Sequence, residues 1–293
     1  MKTNFHTHTF RCGHALGNEE AMVKAAIDEG IEVLGFSEHI PLPHYRKHIL
    51  KGMRYTLNDF RSFAVACKAL LTNGPAMRMP YKSKDIHLGA VKQCQAKYGE
   101  KITIYQGFEA EYYEEYLDYY QELLDTGTVD YLILGNHFNK YTVHTRYYGK
   151  VHITDEEIIS YKNDLLKAMD TGLYTYIAHP DLFMVGKIYF DELCENITRE
   201  ICQKALEKDI PLEVNAGGIR RGHRKVGDEI LYPYPNAHFF EIVGEMGCKV
   251  ILGIDGHKPD DFNQDDFAAL EKFAWRHNLN VITIPEFKKG RSI

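Results

Sequence analysis

His6 and His8, in the opening run MKTNFHTHTFRCGH, are the side chains from which a metal centre in this chain would start. Thr3 to Thr9 alternates as a short strand does, and the two-residue period of a strand puts both imidazoles on one face. His14 follows a turn marked by Gly13, close enough to fold back toward them. A His-x-His pair is only half a site, and on its own it is read equally well as a surface strand that carries histidines. The partners decide between the two.

Those partners recur at the ends of apolar segments. His39 follows IEVLGFS, Glu109 and Glu111 follow KITIYQGF, and His137 follows VDYLIL. His179 ends the segment 173–178, and Asp255 and His257 follow KVILGI. In a sheet of parallel strands these C-terminal ends share one rim. Randomly placed structural histidines would not sort themselves so, and for the set metal binding outweighs core or surface packing. Seven imidazoles and two carboxylates exceed what one tetrahedral or octahedral ion can use, so more than one metal is implied. A carboxylate such as Glu109 can bridge two ions. The ligand types suit zinc, iron or manganese better than calcium or magnesium.

The elements that must position these residues alternate. Asn18 is placed to cap a helix running to about Glu29, with Gly30 ending it. Strands are expected over 31–37, 101–108, 129–134, 173–178, 210–214 and 249–254. Helices are expected over 57–71, 86–97, 112–124, 191–208, 236–246 and 265–277, and Thr154 with Glu157 forms a capping box for one reaching about Met169. Strand, polar end and helix repeat some seven times, which predicts an α/β barrel of seven parallel strands wrapped by helices. The chain reads as a single domain over 1–293, with an elaborated loop and helical insertion at about 41–100. A doubly wound open sheet is the alternative.

The totals bound the function. The 293 residues are 44% hydrophobic, enough for a substantial core, and 35 basic against 41 acidic residues leave a net charge of -6. That charge argues against a nucleic-acid partner or a membrane surface engaged through bulk charge. The six cysteines contain no CxxC pair, the N-terminus lacks an apolar signal-peptide core, and no run approaches a membrane span, so a cytoplasmic protein with reduced thiols is expected. The 15 histidines are the unusual count.

The motifs together resemble one family. His-x-His at the N-terminus, Ser37-Glu38-His39, Gly107-Phe108-Glu109, the isolated His137 and His179, and Asp255-Gly256-His257 are similar, in order, to the PHP (polymerase and histidinol phosphatase) superfamily. Ala178-His179-Pro180-Asp181-Leu182, Leu212-Glu213-Val214-Asn215, Gly218-Ile219-Arg220, Tyr234-Pro235 and the run from Gly253 to Pro259 resemble its histidinol-phosphatase branch. Leu134-Gly135-Asn136-His137 departs from the branch's usual Gly-Ser-Val-His. The resemblance implies a distorted seven-stranded, TIM-like (β/α)7 barrel with three divalent transition-metal ions. His6, His8, Glu109 and Asp255 would hold the first, Glu109, His137 and His179 the second, and His14, His39 and His257 the third.

Clustered cations make a definite chemistry available. A water between two ions loses its proton near neutral pH, and ions about 3.5–4 Å apart clamp the attacking and a phosphoryl oxygen. Hydrolysis of a phosphomonoester follows, with Glu109, Asp255 and Arg220 as the residues on which the step is expected to rest. A guanidinium meets the substrate's phosphate well. Arg220 is the leading candidate, with Arg54 and Arg146 behind it. Glu111 is either a contact to the amino or imidazole end of the substrate or a solvated strand-end carboxylate. Arg221, His223, Arg224 and Lys225 read as a solvated basic loop, of which one member, such as His223, could close over substrate. Asp181 is placed to orient a ligand. His44, His48, His87, His144, His152, His238 and His277 are assigned to packing or surface, and the Tyr112–Tyr120 cluster to packing on the barrel.

The expected activity is hydrolysis of L-histidinol phosphate in histidine biosynthesis, on a small-molecule substrate with no nucleic-acid or membrane partner. The alternatives are another phosphatase or phosphodiesterase on the same scaffold, acting on nucleotides or sugar phosphates, and a metal-binding accessory module without turnover.

Overall fold

The computed structural model describes residues 1–72, 77–138 and 147–288. Its elements are β1 (Thr3–Asn4), α1 (Glu19–Asp28), β2 (Val33–His39), α2 (Tyr45–Met53), α3 (Phe60–Thr72), α4 (Lys84–Tyr98), β3 (Thr103–Ala110), α5 (Leu117–Asp125), β4 (Tyr131–Leu134) and α6 (Asp155–Thr171). There follow α7 (Glu192–Lys208), β5 (Leu212–Asn215), α8 (Ala216–Arg220), β6 (Arg224–Val226), β7 (Glu229–Leu231), α9 (Ala237–Met246), β8 (Lys249–Gly253), α10 (Gln264–Arg276) and β9 (Asn280–Val281).

Helix starts are set by short polar side chains that take up the free N–H groups of the first turn. Asn18 Oδ1 accepts from Ala21 N at 2.9 Å, Asp191 from Cys194 N, and Asn263 from Asp266 N. Thr154 and Glu157 form the reciprocal pair expected of a capping box. Several helix starts therefore fall where the sequence puts them.

The strands form a curled parallel sheet. β1, β2, β3 and β4 lie in that order, and β5, β8 and β9 in theirs, every pairing parallel. Apart from the separate antiparallel hairpin β6–β7, strands neighbour one another in chain order, without the reversal that a doubly wound sheet requires, so that alternative is excluded. The expected strand 173–178 is reduced to a single ladder residue. Ile177 bridges Leu134 on one side and Leu212 on the other, and Leu134 N donates to Tyr176 O at 3.0 Å. On the far side Thr7 bridges Gly256, with His8 N donating to Gly256 O at 2.8 Å.

Helices bury the outer face of this sheet in one large core, to which Leu34, Phe36, Leu132, Tyr161, Leu165, Ile201 and Phe239 contribute. The inner face has a smaller cluster, Phe5, Val33, Tyr131, Ile133, Tyr176, Ala178 and Ile251, which plugs the space beneath the site. Tyr131 hydroxyl donates to Phe5 O and Phe36 O at 2.8 and 2.9 Å, tying β4 to its neighbours from inside. In the segment 41–100, α4 contributes Leu88, Val91 and Cys94 to the main core. α2 and α3 share a separate core of Ile49, Ala66 and Ala69. Tyr116 and Tyr119 donate to Pro43 O and Pro41 O, so the tyrosine cluster packs as expected and holds the start of this segment.

No helix of the described residues is long and apolar enough to cross a membrane. All six cysteines are free.

Candidate metal centre

The registers of β2, β3 and β4 place the centre. His39 pairs with Glu109 and Glu109 with Ile133, so alternation along β3 aims Glu109 to the same side as Val33 and Tyr131, above the inner plug. Glu109 is 1% exposed and is the hub. Its Oε1 lies 3.1 Å from His179 Nε2, 3.4 Å from His137 Nε2 and 3.6 Å from His6 Nε2. Its Oε2 lies 3.0 Å from His39 Nδ1 and 3.5 Å from His8 Nε2. Asp255 Oδ1 completes this end at 3.5 Å from both His6 Nε2 and His8 Nε2. His257 Nε2 and His14 Nε2 stand 3.0 Å apart at the rim. Eight of these nine side chains line a cavity of about 320 Å³, and His6 lies buried beside it.

Whether the residues fit metal ions is decided by the atoms left over. His6 Nε2, His8 Nε2 and Glu109 Oε2 are buried and make no hydrogen bond among the described residues. A buried polar atom without a partner costs about 1–3 kcal/mol, and several facing one point are what coordination would satisfy. The ligand atoms fall into groups within 4.8 Å of one another: His6, His8 and Asp255; His6, Glu109 and His179; His39, Glu109 and His137; His8, His39 and His257. A fifth group, Cys12, His14 and His257, adds one of the thiols expected only to be reduced.

Three further carboxylates aim the imidazoles. Glu213 Oε1 lies 2.8 Å from His6 Nδ1, and its Oε2 accepts from the backbone N of His179 and from Asn215 Nδ2 at 3.0 and 2.7 Å. Since a carboxylate only accepts, it would hold the His6 proton on Nδ1 and leave the Nε2 lone pair to a bound cation. Glu38 stands 3.4 Å from His8 Nδ1, while Thr9 N and Thr9 hydroxyl donate to it. Glu111 faces His137 Nδ1 at 3.4 Å.

Charge within the cluster is mutually stabilised. Burial would raise the Glu109 carboxyl, but His137, His39 and His6 outweigh it and hold it well below the carboxylate range. Asp255 is lowered likewise against its burial, by His6 and His257. For His8 burial is overcome by Asp255 and Glu38, and its pKa rises to about 9. For His39 burial wins, and its pKa falls well below the ordinary histidine value. His14 is lowered to about 4, by burial first and then by His257 and His8.

Two features of the backbone make room for this packing. A Cβ on Gly135 would stand 2.1 Å from Glu109 Oε1, and one on Gly253 would stand 1.9 Å from Glu213 Oε1. The glycine in Leu134-Gly135-Asn136-His137 is therefore required by the carboxylate across from it. His179 and Asp255 have φ of 31° and 52°, a left-handed conformation uncommon for residues with a Cβ. Arg220 bears on the second of these, since its Nη2 donates to Ile254 O and Asp255 O at 2.9 and 2.8 Å.

Comparison with known proteins gives the arrangement a family. Residues 4–217, well over half the chain, match the profile of the PHP domain. The chain belongs to the PHP domain family. Proteins described as probable histidinol-phosphatases are similar to it in Deinococcus radiodurans, at 20% identity over 87% of this chain and 86% of that one, and in Schizosaccharomyces pombe, at 21% over 88% and 81%. Among solved structures, a Listeria monocytogenes protein assigned as a histidinol phosphatase superposes with a TM-score of 0.68 at 19% identity, covering 91% of this chain and 99% of the other. The histidinol phosphate phosphatase of Lactococcus lactis, solved with zinc, L-histidinol and phosphate, superposes with a TM-score of 0.64 at 16% identity, covering 100% and 98%. At these identities the superpositions establish the PHP fold.

Within the PHP fold the nine expected ligands come together, whereas the expected substrate contacts separate. Arg220 borders the cavity, but its guanidinium is taken up by the two carbonyls and by Asp266 Oδ2 at 2.8 Å. Arg54 does not line the cavity; it is exposed, and its guanidinium donates to Tyr55 hydroxyl at 2.7 Å and stacks on that ring. Arg146 and His144 lie outside the described residues. Glu111 is neither solvated nor at the cavity: it is 1% exposed and accepts from Arg78 Nη2 at 2.6 Å. His223 is exposed and stacked on Tyr232, away from the cavity. Asp181 does not reach a ligand side chain. Its Oδ2 accepts from Asn236 N at 2.6 Å, and burial pushes its carboxyl up to about 7.

Five residues of the PHP site were given no role at the centre from sequence. Arg221, grouped with the solvated loop, lines the cavity with Tyr147 and Tyr234, its guanidinium 5.5 Å from the Tyr234 ring. Glu213 was legible as a charge inside the buried run IPLEV, which demands a partner. Glu38 carried a weaker signal, its place beside His39. Tyr234 stood only in the Tyr234-Pro235 motif, and Tyr147 carried no signal.

Proposed function

We propose that this PHP protein is a metal-dependent phosphomonoesterase that hydrolyses L-histidinol phosphate to L-histidinol and phosphate. The observation that carries the reading is the convergence of seven imidazoles, Glu109 and Asp255 around one cavity, with lone-pair atoms left unpaired. A protein of the same fold holds zinc, L-histidinol and phosphate together, which makes this substrate the first to test.

In this reading His6, His8, Glu109 and Asp255 hold one divalent ion, Glu109, His137 and His179 a second, and His14, His39 and His257 a third, each zinc, iron or manganese. Bound, the ions supply a nucleophilic hydroxide at neutral pH and polarise a phosphoryl oxygen. The protein's own residues do the rest. Glu109 lies between the first two ligand sets and holds them at fixed separation. Glu213 and Glu38 keep His6 and His8 in the tautomer and orientation that point their free nitrogens inward, and the Glu111 carboxylate stands 3.4 Å from His137 Nδ1. Arg220 fixes the strained backbone at Asp255 and so acts as a positioning residue. Arg221, at the mouth, is the guanidinium placed to meet the phosphate.

The bridges at Thr7–Gly256 and through Ile177 support reading the curled sheet as a distorted (β/α)7 barrel in a single domain, with α2 and α3 as its elaboration. The six free cysteines suit a cytoplasmic setting. Steady-state hydrolysis of L-histidinol phosphate, nucleoside monophosphates and a dinucleotide by the metal-loaded protein tests the assignment. At least a tenfold preference for L-histidinol phosphate is expected, with loss of turnover on chelation; a preference for a nucleotide would overturn it.

A further inference from the structure

We infer that Cys12 is a thiolate ligand at the rim of the metal centre, forming with His14 and His257 a soft site for zinc-like ions. The inference rests on the reading that this cluster binds metal, and it adds a ligand that the nine-residue set does not contain.

The geometry points to it. Cys12 Sγ lies 4.0 Å from His14 Nε2, which in turn lies 3.0 Å from His257 Nε2, and the three ligand atoms are all within 4.8 Å of one another. Tetrahedral zinc with bonds of about 2.3 Å to sulfur and 2.0–2.1 Å to nitrogen requires separations of about 3.6 Å for S to N and about 3.3 Å for N to N. The two spacings at His14 differ from these by less than half an ångström, and the third, from Cys12 Sγ to His257, lies within 4.8 Å. By contrast, His14 shares no such group with His39, the partner the family resemblance gave it; His39 groups with His8 and His257 instead. Cys12 therefore adds a soft donor to the third ligand set at its His14 end.

The local backbone holds this arrangement ready. Thr9 caps the short turn Phe10–Cys12, and Gly13 follows with φ of 83°, a conformation that reverses the chain and returns His14 toward Cys12. Cys12 is fully buried, and its thiol donates to Thr9 O at 3.2 Å. On ligation that proton leaves to solvent or buffer as the sulfur lone pair bonds the cation, so no oxidant or reductant is involved. A thiolate beside two imidazoles favours zinc over manganese at this position, while the oxygen of Glu109 keeps the inner positions open to either.

Cobalt(II) loading of the apo full-length protein tests this, read by metal analysis and absorption. The wild type is expected to show a sulfur-to-cobalt charge-transfer band in the near ultraviolet alongside the visible bands of cobalt held by nitrogen and oxygen. Cys12→Ser is expected to lose the near-ultraviolet band, keep visible bands from the inner sites, and bind its outermost equivalent at least tenfold more weakly. Zinc-edge X-ray absorption of the wild type requires no variant, and is expected to show a sulfur shell at about 2.3 Å. Cobalt bound without any charge-transfer band, or a band that persists unchanged in Cys12→Ser, would overturn the assignment of Cys12 and leave the rest of the centre standing. Absence of bound cobalt altogether would overturn both.

Discussion

At the scale of single residues, the centre depends on side chains that touch no cavity. Glu213 engages His6, the backbone of His179 and Asn215 at once. Glu213→Gln keeps the shape but removes the charge that holds the His6 proton, and metal affinity is expected to fall about 10–100-fold, read by competition with a chromophoric chelator. Arg78 is a second such residue. It is 1% exposed, bonded to Ile40 O and Glu111, and Glu111 abuts His137. Arg78→Met leaves Glu111 buried without its partner and should cost about 3–5 kcal/mol in denaturant unfolding, whereas Arg78→Met with Glu111→Leu should recover most of it. The ligands themselves were legible because His39, His137, His179, His257 and both carboxylates stood at or just beyond the ends of apolar runs, with His6, His8 and His14 gathered at the N-terminus. Arg78 was not, since a lone arginine in a loop carries no sign of burial. Arg220 and Arg221 show the same limit: both line the cavity, and only the fold shows that the Arg220 guanidinium is taken up by Ile254 O, Asp255 O and Asp266.

At the scale of elements, the first loop is tied down through α1. Glu19 is 2% exposed; its carboxylate accepts from Arg11 Nε at 2.5 Å and lies 2.7 Å from His87 Nδ1, joining the loop that carries Cys12 and His14 to α4. Burial raises this carboxyl, yet His87 and Arg11 prevail and bring it from 4.5 down to about 2. A group whose folded pKa is depressed stabilises the protein above its unfolded value and loses that contribution as pH falls toward the folded one. The clamp therefore weakens on acidification from about pH 4.5 to 2. Glu19→Gln should lower stability near neutrality by about 1–2 kcal/mol, discounted for solvent screening, and show a shallower decline on acidification, read by unfolding at several pH values. Helices were the most legible elements, because Asn18 and Thr154 announce the starts of α1 and α6. The strand expected over 173–178 was not resolved in the same way. Its β-branched and aromatic pattern is real, but Pro180 and the left-handed His179 end it at once.

At the scale of the molecule, a curled parallel sheet gathers strand ends from both halves of the sequence, so that His6 and Asp255 come within 3.5 Å across 249 positions. Sequence order alone carried that far, because parallel strands with helical returns send every C-terminal end to one rim. It did not reveal how α2 and α3 would separate from α4, since α2 was not expected as a helix and only packing shows that the cores differ. Anomalous diffraction from crystals loaded with zinc or manganese and soaked in phosphate tests the account most directly. Peaks within coordination distance of Glu109, His137 and Asp255 are expected, with the anion between them and Arg221. A loaded crystal with no peak beside Glu109 would contradict it.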